Sequence, residues 1–388
     1  MTQLISWTTP KYFNFRKESK MKKIQMILLS SGLLILSMGL ISYSAQPQKE
    51  KGFVIHRGLN ASHWLSQSKK RGEERAGYMQ EEDFSAIAKM GFDHVRLPID
   101  EEQMWDENNN KVDEAFKLMH KGIQWSLQNN LRVVIDLHVL RSHHFNRPDS
   151  RQLWEDKSAQ EGFIKFWHQL SEELKQYPND KLAYEPLNEA VSDNPDDWNN
   201  LINWVISEIR KLEPERTIIM GSNNWQTVGT FKDLKVPEGD RNIILSFHYY
   251  EPFLLTHYQA PWTNIKDLTV AFNYPGQMVN PALYSTLSKE ELKLIKEHNG
   301  YKDRNTIDKD IYQAVEVAKK CGLKLYCGEF GCFPSTDMKL RQAWYNDMIA
   351  VFDKHDIAWS HWNYKNDFPV VNAETLAPIE ELTSILIK

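Results

Sequence analysis

Short apolar runs alternate with amphipathic stretches along most of the chain. Runs rich in β-branched and apolar residues predict eight strands, over Phe53–Asn60, His94–Ile99, Arg132–His138, Leu182–Asn188, Thr217–Asn223, Asn242–Tyr250, Leu323–Phe330 and Ile357–Tyr364. Between them, apolar residues at helical spacing predict helices, over Glu81–Met90, Asp113–Asn129, Gln160–Gln176, Asp197–Leu212, Thr306–Lys320 and Asp337–His355. A strand followed by a helix, repeated in this way, is typical of a parallel α/β sheet. We predict a single-domain (β/α)8 TIM barrel over residues 52–388, with a doubly wound open sheet as the alternative.

The segment 251–305 interrupts this alternation. It is far longer than an ordinary strand-to-helix connection, and it carries several aromatic residues: Phe253, His257, Tyr258, Trp262, Phe272 and Tyr274. Barrels of this type build their binding sites at the carboxyl ends of the strands. We therefore expect an insertion over that mouth, in which Trp262 or Tyr258 forms a wall for a bound substrate. An ordinary packed excursion is the alternative.

The first 51 residues have a different composition from the rest. Met21-Lys22-Lys23, the apolar run Ile24–Ile41 and Ser42-Tyr43-Ser44-Ala45 match the three regions of a secretory signal peptide. We interpret residues 1–20 as an upstream extension, 21–45 as the signal peptide and 46–51 as a linker. The apolar run approaches the length of a membrane span, so an uncleaved N-terminal anchor is the alternative. Both interpretations predict a secreted or periplasmic protein.

The charge of the chain points to a neutral ligand. The formal net charge is -5, and the residues after position 44 contain 41 basic and 51 acidic side chains. Such a protein has no electrostatic reason to bind nucleic acid or an anionic membrane. The 13 Trp and 15 Tyr residues suit stacking against sugars, although an aromatic-rich core explains them equally simply.

The three cysteines are Cys321, Cys327 and Cys332. An odd number cannot be fully paired within one chain, and the spacing matches no common zinc pattern. We expect buried free thiols beside a barrel strand, with a bond between two of them as the alternative.

Polar and aromatic residues concentrate toward one end of the predicted strands, namely Arg96, His138, Asn188, Glu189, His248, Tyr250, Glu329 and Trp362. Each has an ordinary explanation when taken alone: an ion pair, a core histidine, a core aromatic, a turn, or a carboxylate at a helix N-terminus. Their shared position favours a common site at the barrel mouth.

Glu189 and Glu329 supply the two carboxyl groups that glycoside cleavage requires. One must be protonated to help the leaving oxygen depart, and the other must be ionised to attack the anomeric carbon. We expect Glu189 to be the acid/base, Glu329 to be the nucleophile, and the two to lie about 5 Å apart. Hydrogen bonds from Arg96 and Tyr250 would keep Glu329 anionic, and its charge would raise the proton affinity of Glu189. Asn188 is placed to bind the sugar 2-hydroxyl.

An ordered set of motifs runs from about residue 53 to residue 364 and resembles glycoside hydrolase family 5, the cellulase family. The motifs are Arg57-Gly58-Leu59-Asn60, Val95-Arg96-Leu97-Pro98, Asp136-Leu137-His138, Leu187-Asn188-Glu189, Ser246-Phe247-His248-Tyr249-Tyr250, Gly328-Glu329-Phe330-Gly331 and His361-Trp362. The resemblance implies a (β/α)8 barrel, retention of anomeric configuration, and neither a cofactor nor a metal. It implies catalytic roles for Glu189 and Glu329, and it implies a substrate-binding set of Arg96, His138, Asn188, His248, Tyr250 and Trp362.

The resemblance also implies a polysaccharide or oligosaccharide substrate, and we expect the protein to be a monomer. Endo-cleavage of β-1,4-glucan is the first expectation, and β-mannan or another β-glucan is the alternative. The chain departs from the family at two places: Ala190 stands where a proline often follows the acid/base, and Asn60-Ala61-Ser62-His63-Trp64 replaces a glycine-rich start of the first loop. Both departures bear on the choice of substrate.

Two other functions remain as hypotheses. A metal-dependent hydrolase would use the cluster Asp136, His138, His143 and His144, but the first strand has no His-x-His pair, and Arg141 and Arg147 lie beside the two loop histidines. A non-catalytic glycan-binding barrel is the second hypothesis. Retention of both carboxylates and of the residues around them disfavours it.

Overall fold

The computed structural model describes residues 52–147 and 150–388. The predicted upstream extension, signal peptide and linker lie outside these residues. Within the described part of the chain, no helix combines the length and the apolar character that a membrane span requires.

Eight parallel strands close into a barrel: β1 (Arg57–Asn60), β2 (His94–Asp100), β3 (Arg132–Val139), β4 (Leu182–Glu185), β5 (Thr217–Gly221), β6 (Ile243–Tyr249), β7 (Lys324–Phe330) and β8 (Ala358–His361). Each strand pairs with the next, and β1 also pairs with β8 through Arg57 and Trp359. This last pairing closes the sheet, so the predicted TIM barrel is confirmed and the open-sheet alternative is wrong.

Helices connect most of the strands. The longer ones span Glu81–Lys89, Asp113–Gln128, Lys157–Leu174, Pro195–Leu212, Lys289–His298, Arg304–Cys321 and Met338–His355, and a shorter one, Glu380–Leu386, follows β8. Further short helices span Gly72–Ala76, Glu101–Met104, Gln152–Glu155, Asn223–Gln226 and Phe253–Thr256, with 3-10 helices at Val228–Asp233 and Pro281–Thr286.

The helix Pro195–Leu212 illustrates how local sequence sets these elements. The side chain of Asn194 accepts a hydrogen bond from the Asp196 amide, and Pro195 occupies the first turn, where a missing N–H costs nothing. Apolar residues at helical spacing, including Leu201 and Val205, are buried against the barrel core.

Strand β4 is shorter than the sequence predicts. It ends at Glu185 rather than Asn188 because Pro186 has no amide proton to donate to a neighbouring strand. Asn188 and Glu189 therefore begin the loop that follows the strand. Both remain at least nine-tenths buried.

The segment 251–305 lies between β6 and the helix Arg304–Cys321. Besides its helices it holds a short antiparallel pairing between Gly276–Gln277 and Tyr301–Lys302. Met278, Val279 and Ile295 are fully buried. Much of the segment is thus packed structure, and its first part reaches the barrel mouth.

The three cysteines are free thiols in this structure. Cys327 is buried in the middle of β7, Cys332 is buried two residues after that strand ends, and Cys321 is half-buried at the end of a helix. The pairing alternative finds no support in this arrangement.

Candidate active site

A cleft of about 830 Å³ opens at the carboxyl ends of the strands. Six of the eight predicted site residues line it: His138, Glu189, His248, Tyr250, Glu329 and Trp362. The other two, Arg96 and Asn188, are buried beneath it and contact its floor. The structure therefore brings all eight together.

Glu189 and Glu329 face each other across the cleft. Glu189 follows β4 and Glu329 belongs to β7, and in the barrel β5 and β6 lie between these strands. A carboxylate oxygen of each and a ring nitrogen of His248 lie within 4.8 Å of one another. Glu189 is 9% exposed to solvent and Glu329 is 5% exposed, so both carboxyl groups are shielded from bulk water although both line the cleft.

Arg96 lies in the middle of β2 rather than at its end, and its long side chain reaches up to the cleft floor. It donates to Glu329 Oε1 at 2.7 Å and to Glu185 Oε2 at 2.7 Å, and it lies 3.0 Å from Asp136 Oδ2. One guanidinium thus contacts three buried carboxylates. Such charges tolerate burial only when they are paired and hydrogen-bonded.

Two further side chains contact the facing carboxylates. The Tyr250 hydroxyl donates to Glu329 Oε2 at 3.0 Å. His248 Nδ1 lies 2.9 Å from Glu189 Oε1 and 3.7 Å from Glu329 Oε2. Burial holds the pKa of His248 well below its usual value, so the ring is neutral and adds no positive charge to the site.

The two carboxyl groups differ in their electrostatic surroundings. Burial raises the pKa of Glu189, and the negative charge of Glu329 raises it further, to well above its usual value. Burial also raises the pKa of Glu329, but Arg96 and the hydrogen bond from Tyr250 oppose the rise. The site therefore favours a proton on Glu189 and a negative charge on Glu329.

The backbone at Glu189 adopts a left-handed conformation with φ +44°. For a residue other than glycine this costs about 1–2 kcal/mol, so neighbouring contacts must hold it. The Glu189 carbonyl accepts a hydrogen bond from His143 Nε2 at 3.1 Å, and the Ala190 carbonyl accepts one from the Trp225 amide at 3.3 Å. These contacts aim the Glu189 carboxyl group into the cleft.

Gly331 permits a close approach of the ends of β7 and β8. A Cβ atom at this position would lie 2.3 Å from the Trp362 carbonyl oxygen. Any side chain would push Trp362 away or displace the strand end that carries Glu329.

Three residues that the sequence analysis did not select support the network. Glu185 is the main partner of Arg96, Gln226 donates to Glu185 Oε1 at 3.0 Å, and Asn60 accepts from Arg96 at 2.9 Å. A charged residue inside the otherwise apolar strand Leu182–Glu185 was an available signal for Glu185. Gln226 lies in a left-handed turn that no sequence pattern predicted.

The proposed subsite aromatics separate in the structure. Trp262 is 48% exposed and lines the cleft. Tyr258 instead packs edge-on against Phe272, with ring centroids 4.9 Å apart. Trp225, which the sequence analysis did not select, also lines the cleft.

A metal ion has one geometrically suitable cluster among the described residues, formed by Glu189, His248 and Glu329. The Arg96 guanidinium is hydrogen-bonded to Glu329 and opposes a cation there. The metal ligands that the sequence suggested, around Asp136 and His138, have other partners. His138 Nδ1 lies 2.6 Å from Asp136 Oδ2, and His143 Nε2 is hydrogen-bonded to the Glu189 carbonyl.

Comparison with known proteins gives consistent matches along the chain. The model of the cellulase family, glycosyl hydrolase family 5, matches residues 50–368. Endoglucanase C of Acetivibrio thermocellus is 31% identical over 347 residues, which cover 85% of this chain and 97% of the relative. Cellodextrinase A of Ruminococcus flavefaciens is 29% identical over 317 residues, which cover 80% of this chain and 85% of the relative.

Solved structures give the same result. The cellulose synthase subunit Z of Clostridioides difficile superposes with a TM-score of 0.71 at 26% identity, covering 86% of this chain and 100% of that chain. Thermotoga maritima Cel5A in complex with cellobiose superposes with a TM-score of 0.70 at 25% identity, covering 86% of this chain and 98% of that chain. Since the family model covers residues 50–368 and the barrel carries a facing pair of carboxylates, the chain belongs to glycoside hydrolase family 5 and is an endoglucanase-like glycoside hydrolase.

Proposed function

We propose that this enzyme is a retaining, endo-acting β-glycoside hydrolase that cleaves β-1,4-glucan by double displacement. Glu189 is the general acid/base and Glu329 is the nucleophile. The observation that carries the proposal is the approach of the two carboxyl groups to within 4.8 Å. Retaining enzymes place the pair about 5–5.5 Å apart, whereas inverting enzymes leave a wider gap for a water molecule.

In the first step, a Glu329 oxygen attacks the anomeric carbon. The glycosidic bond breaks, and Glu189 donates its proton to the departing oxygen. The hydrogen bonds from Arg96 and Tyr250 favour the ionised form of Glu329 before attack.

In the second step, water attacks the glycosyl-enzyme and restores the Glu329 carboxylate. The ester carries no charge, so the repulsion that raises the pKa of Glu189 disappears. Glu189, now ionised, takes a proton from the attacking water. The product retains its anomeric configuration because two inversions have occurred.

Two of the remaining predicted residues, Asn188 and Trp362, are placed to contact the sugar directly. Asn188 accepts from Arg96 through Oδ1 at 2.8 Å, and its Nδ2 has no acceptor among the described residues. That amide is available to the sugar 2-hydroxyl, and hydrogen bonds to this hydroxyl strengthen in the transition state of glycoside hydrolysis. Trp362 offers an aromatic face at the end of β8.

The choice of β-1,4-glucan is supported by the names of the relatives, an endoglucanase and a cellodextrinase, and by a solved complex of a similar barrel with cellobiose. Purified β-1,4-glucan, mixed-linkage glucan, xyloglucan and β-mannan should be compared by the release of new reducing ends. We expect the highest rate and a rapid fall in viscosity with β-1,4-glucan. A higher rate on mannan would overturn the substrate assignment and leave the mechanism standing.

The mechanism is tested with Glu329→Ala and Glu189→Ala. Both should lose nearly all turnover, and azide should restore activity to Glu329→Ala with an inverted product, seen by proton NMR of the new anomeric bond. Glu189→Ala should lose far more activity on substrates with basic leaving groups than on activated aryl glycosides. Equal losses for all leaving groups would contradict the assignment. Glu251→Ala removes a carboxylate from the same cleft and serves as the control, because azide should not restore any loss there.

We further propose that the enzyme acts as a monomer outside the cytoplasm. The signal-like segment 21–45 supports export, and all eight site residues come from one chain. Cell fractionation and size-exclusion chromatography test these two statements; activity confined to the cytoplasm would refute the first.

A further inference from the structure

Both ring nitrogens of His138 are occupied by protein groups. Nδ1 lies 2.6 Å from Asp136 Oδ2, and Nε2 lies 2.9 Å from Nε2 of Gln67. The His138 ring also lies parallel to Trp362, with centroids 5.4 Å apart and an interplanar angle of 6°. The histidine therefore turns its edge toward Gln67, which itself lines the cleft.

The protonation state of His138 follows from these contacts. Asp136 Oδ2 already lies 3.0 Å from Arg96 Nη2, so a proton on that oxygen would oppose the guanidinium. Burial raises the pKa of Asp136 to about 7, but the Arg96 guanidinium favours its ionised form, so Nδ1 is the donor to Oδ2. Burial lowers the pKa of His138 to about 3, so the ring is neutral and Nε2 carries a lone pair.

This tautomer fixes the orientation of the Gln67 amide. A lone pair on His138 Nε2 accepts a hydrogen bond, so Gln67 must present its NH2 group to the ring. The amide oxygen of Gln67 then turns away from His138. No residue that the structure describes donates a hydrogen bond to this Gln67 amide oxygen.

The backbone of Gln67 is held in place as well. Its φ is +50°, a left-handed conformation, and its amide donates to Asp100 Oδ2 at 2.6 Å. Leu65, two residues earlier, accepts from the Asp100 amide at 2.8 Å. These backbone contacts hold the first loop against the end of β2 and so place the Gln67 side chain beside His138.

We propose that Gln67 is a substrate-binding residue that determines specificity beside Trp362, by accepting a hydrogen bond from a sugar hydroxyl through its amide oxygen. His138 orients the amide and contacts the sugar through Gln67. The inference rests on the proposed glycoside hydrolysis. It assigns a function to the first loop, whose sequence departs from the glycine-rich form that is usual in the family.

The test pairs a protein variant with an altered substrate. Aryl glycosides of the preferred disaccharide, each lacking one hydroxyl of the sugar next to the aryl group, are compared on the unmodified enzyme and on Gln67→Leu. One deoxy substrate other than the 2-deoxy compound should lose roughly 10- to 100-fold in kcat/KM on the unmodified enzyme. On Gln67→Leu the same change should cost less than about 3-fold, because the partner is already gone.

Gln313→Leu is the matched control. Gln313 lines the same cleft from the helix Arg304–Cys321, so its variant should keep the full penalty for that deoxy substrate. Equal penalties on the unmodified enzyme and on Gln67→Leu at every position would overturn the inference. Hydrolysis with retention in those same assays would leave the proposed function intact.

A second measurement does not depend on a variant that folds. Nitrogen-15 NMR of the unmodified enzyme near pH 7 should show His138 as a neutral ring with its proton on Nδ1. A proton on Nε2 would refute the inference, because the Gln67 oxygen would then face the ring and not the sugar.

Discussion

At the scale of single residues, Arg96 determines how the buried charges coexist. Its guanidinium contacts Asp136, Glu185 and Glu329, and it also donates to Asn188. A guanidinium has five N–H donors in a plane, whereas a lysine ammonium has three on a flexible stem. Lysine at this position would leave some of these acceptors unpaired in a buried environment, so Arg96→Lys is not a conservative change here.

The hydrogen bond from Tyr250 to Glu329 predicts a change in pH dependence. Because that bond lowers the pKa of Glu329, Tyr250→Phe should raise it. Activity requires ionised Glu329, so the acidic limb of kcat/KM should move to higher pH by about one unit. The alkaline limb, which we assign to loss of the proton on Glu189, should move less. Stopped assays across the pH range measure both limbs.

Tyr249→Phe provides a control on the neighbouring residue. The Tyr249 hydroxyl donates to Asp310 at 3.2 Å and not to either catalytic candidate. Its acidic limb should stay where it is in the unmodified enzyme. An unchanged acidic limb in Tyr250→Phe would count against Glu329 as the ionised group.

The sequence was informative for residues whose type and position together imply chemistry. Glu189 and Glu329 both follow short apolar runs, and that pattern alone predicts that they lie at the same mouth of the barrel. Glu185, Gln226 and Gln67 were missed for a physical reason. The charge of Glu185 in an apolar strand was a usable signal, but its pairing with Arg96 depends on the tertiary fold. The roles of Gln226 and Gln67 depend on left-handed loop conformations that no local pattern fixes.

At the scale of elements, the strands were easier to predict than their ends. β1 begins at Arg57, four residues after the start that the apolar run suggested, because Phe53 and Ile55 pack in a small cluster at the bottom of the barrel without joining the sheet. Burial makes such residues look like a strand in sequence. Pairing with a neighbour, which defines the strand, is a property of the tertiary fold.

The segment 251–305 predicts different effects for its two candidate aromatics. Trp262→Ala should raise KM for oligosaccharides several-fold, since an exposed ring that lines the cleft offers a stacking face. Tyr258→Ala should leave KM unchanged, because its ring packs on Phe272 away from the cleft. Steady-state kinetics on a series of oligosaccharide lengths distinguish the two. If both variants kept the original KM, the segment would have no subsite wall at either position.

At the scale of the whole molecule, the two ends of the domain close the barrel. β1 pairs with β8, and the Arg57 side chain donates to the carbonyl of Lys388 at 2.8 Å. The final helix, Glu380–Leu386, buries Leu382, Ile385 and Leu386. Sequence reasoning set the domain to residue 388 but did not identify this last helix, which is only seven residues long.

Leu382→Ala should lower the free energy of unfolding by about 2–5 kcal/mol, because it removes a fully buried side chain and leaves a cavity. Ser384→Ala, on the exposed side of the same helix, should change it by less than about 0.5 kcal/mol. Urea unfolding followed by tryptophan fluorescence measures both. Equal stability of the two variants would mean that the helix contributes nothing to barrel closure.

The closed barrel also limits how this protein can diversify. Glu189 directly follows β4 and Glu329 belongs to β7, with two strands between them, so their separation depends mainly on the number and stagger of the barrel strands. Mutations in the loops can exchange one glycan for another while the stereochemical outcome stays the same. A change from retention to inversion would require one carboxylate to move to a new position at the barrel mouth. Small changes in loop sequence do not produce such a move.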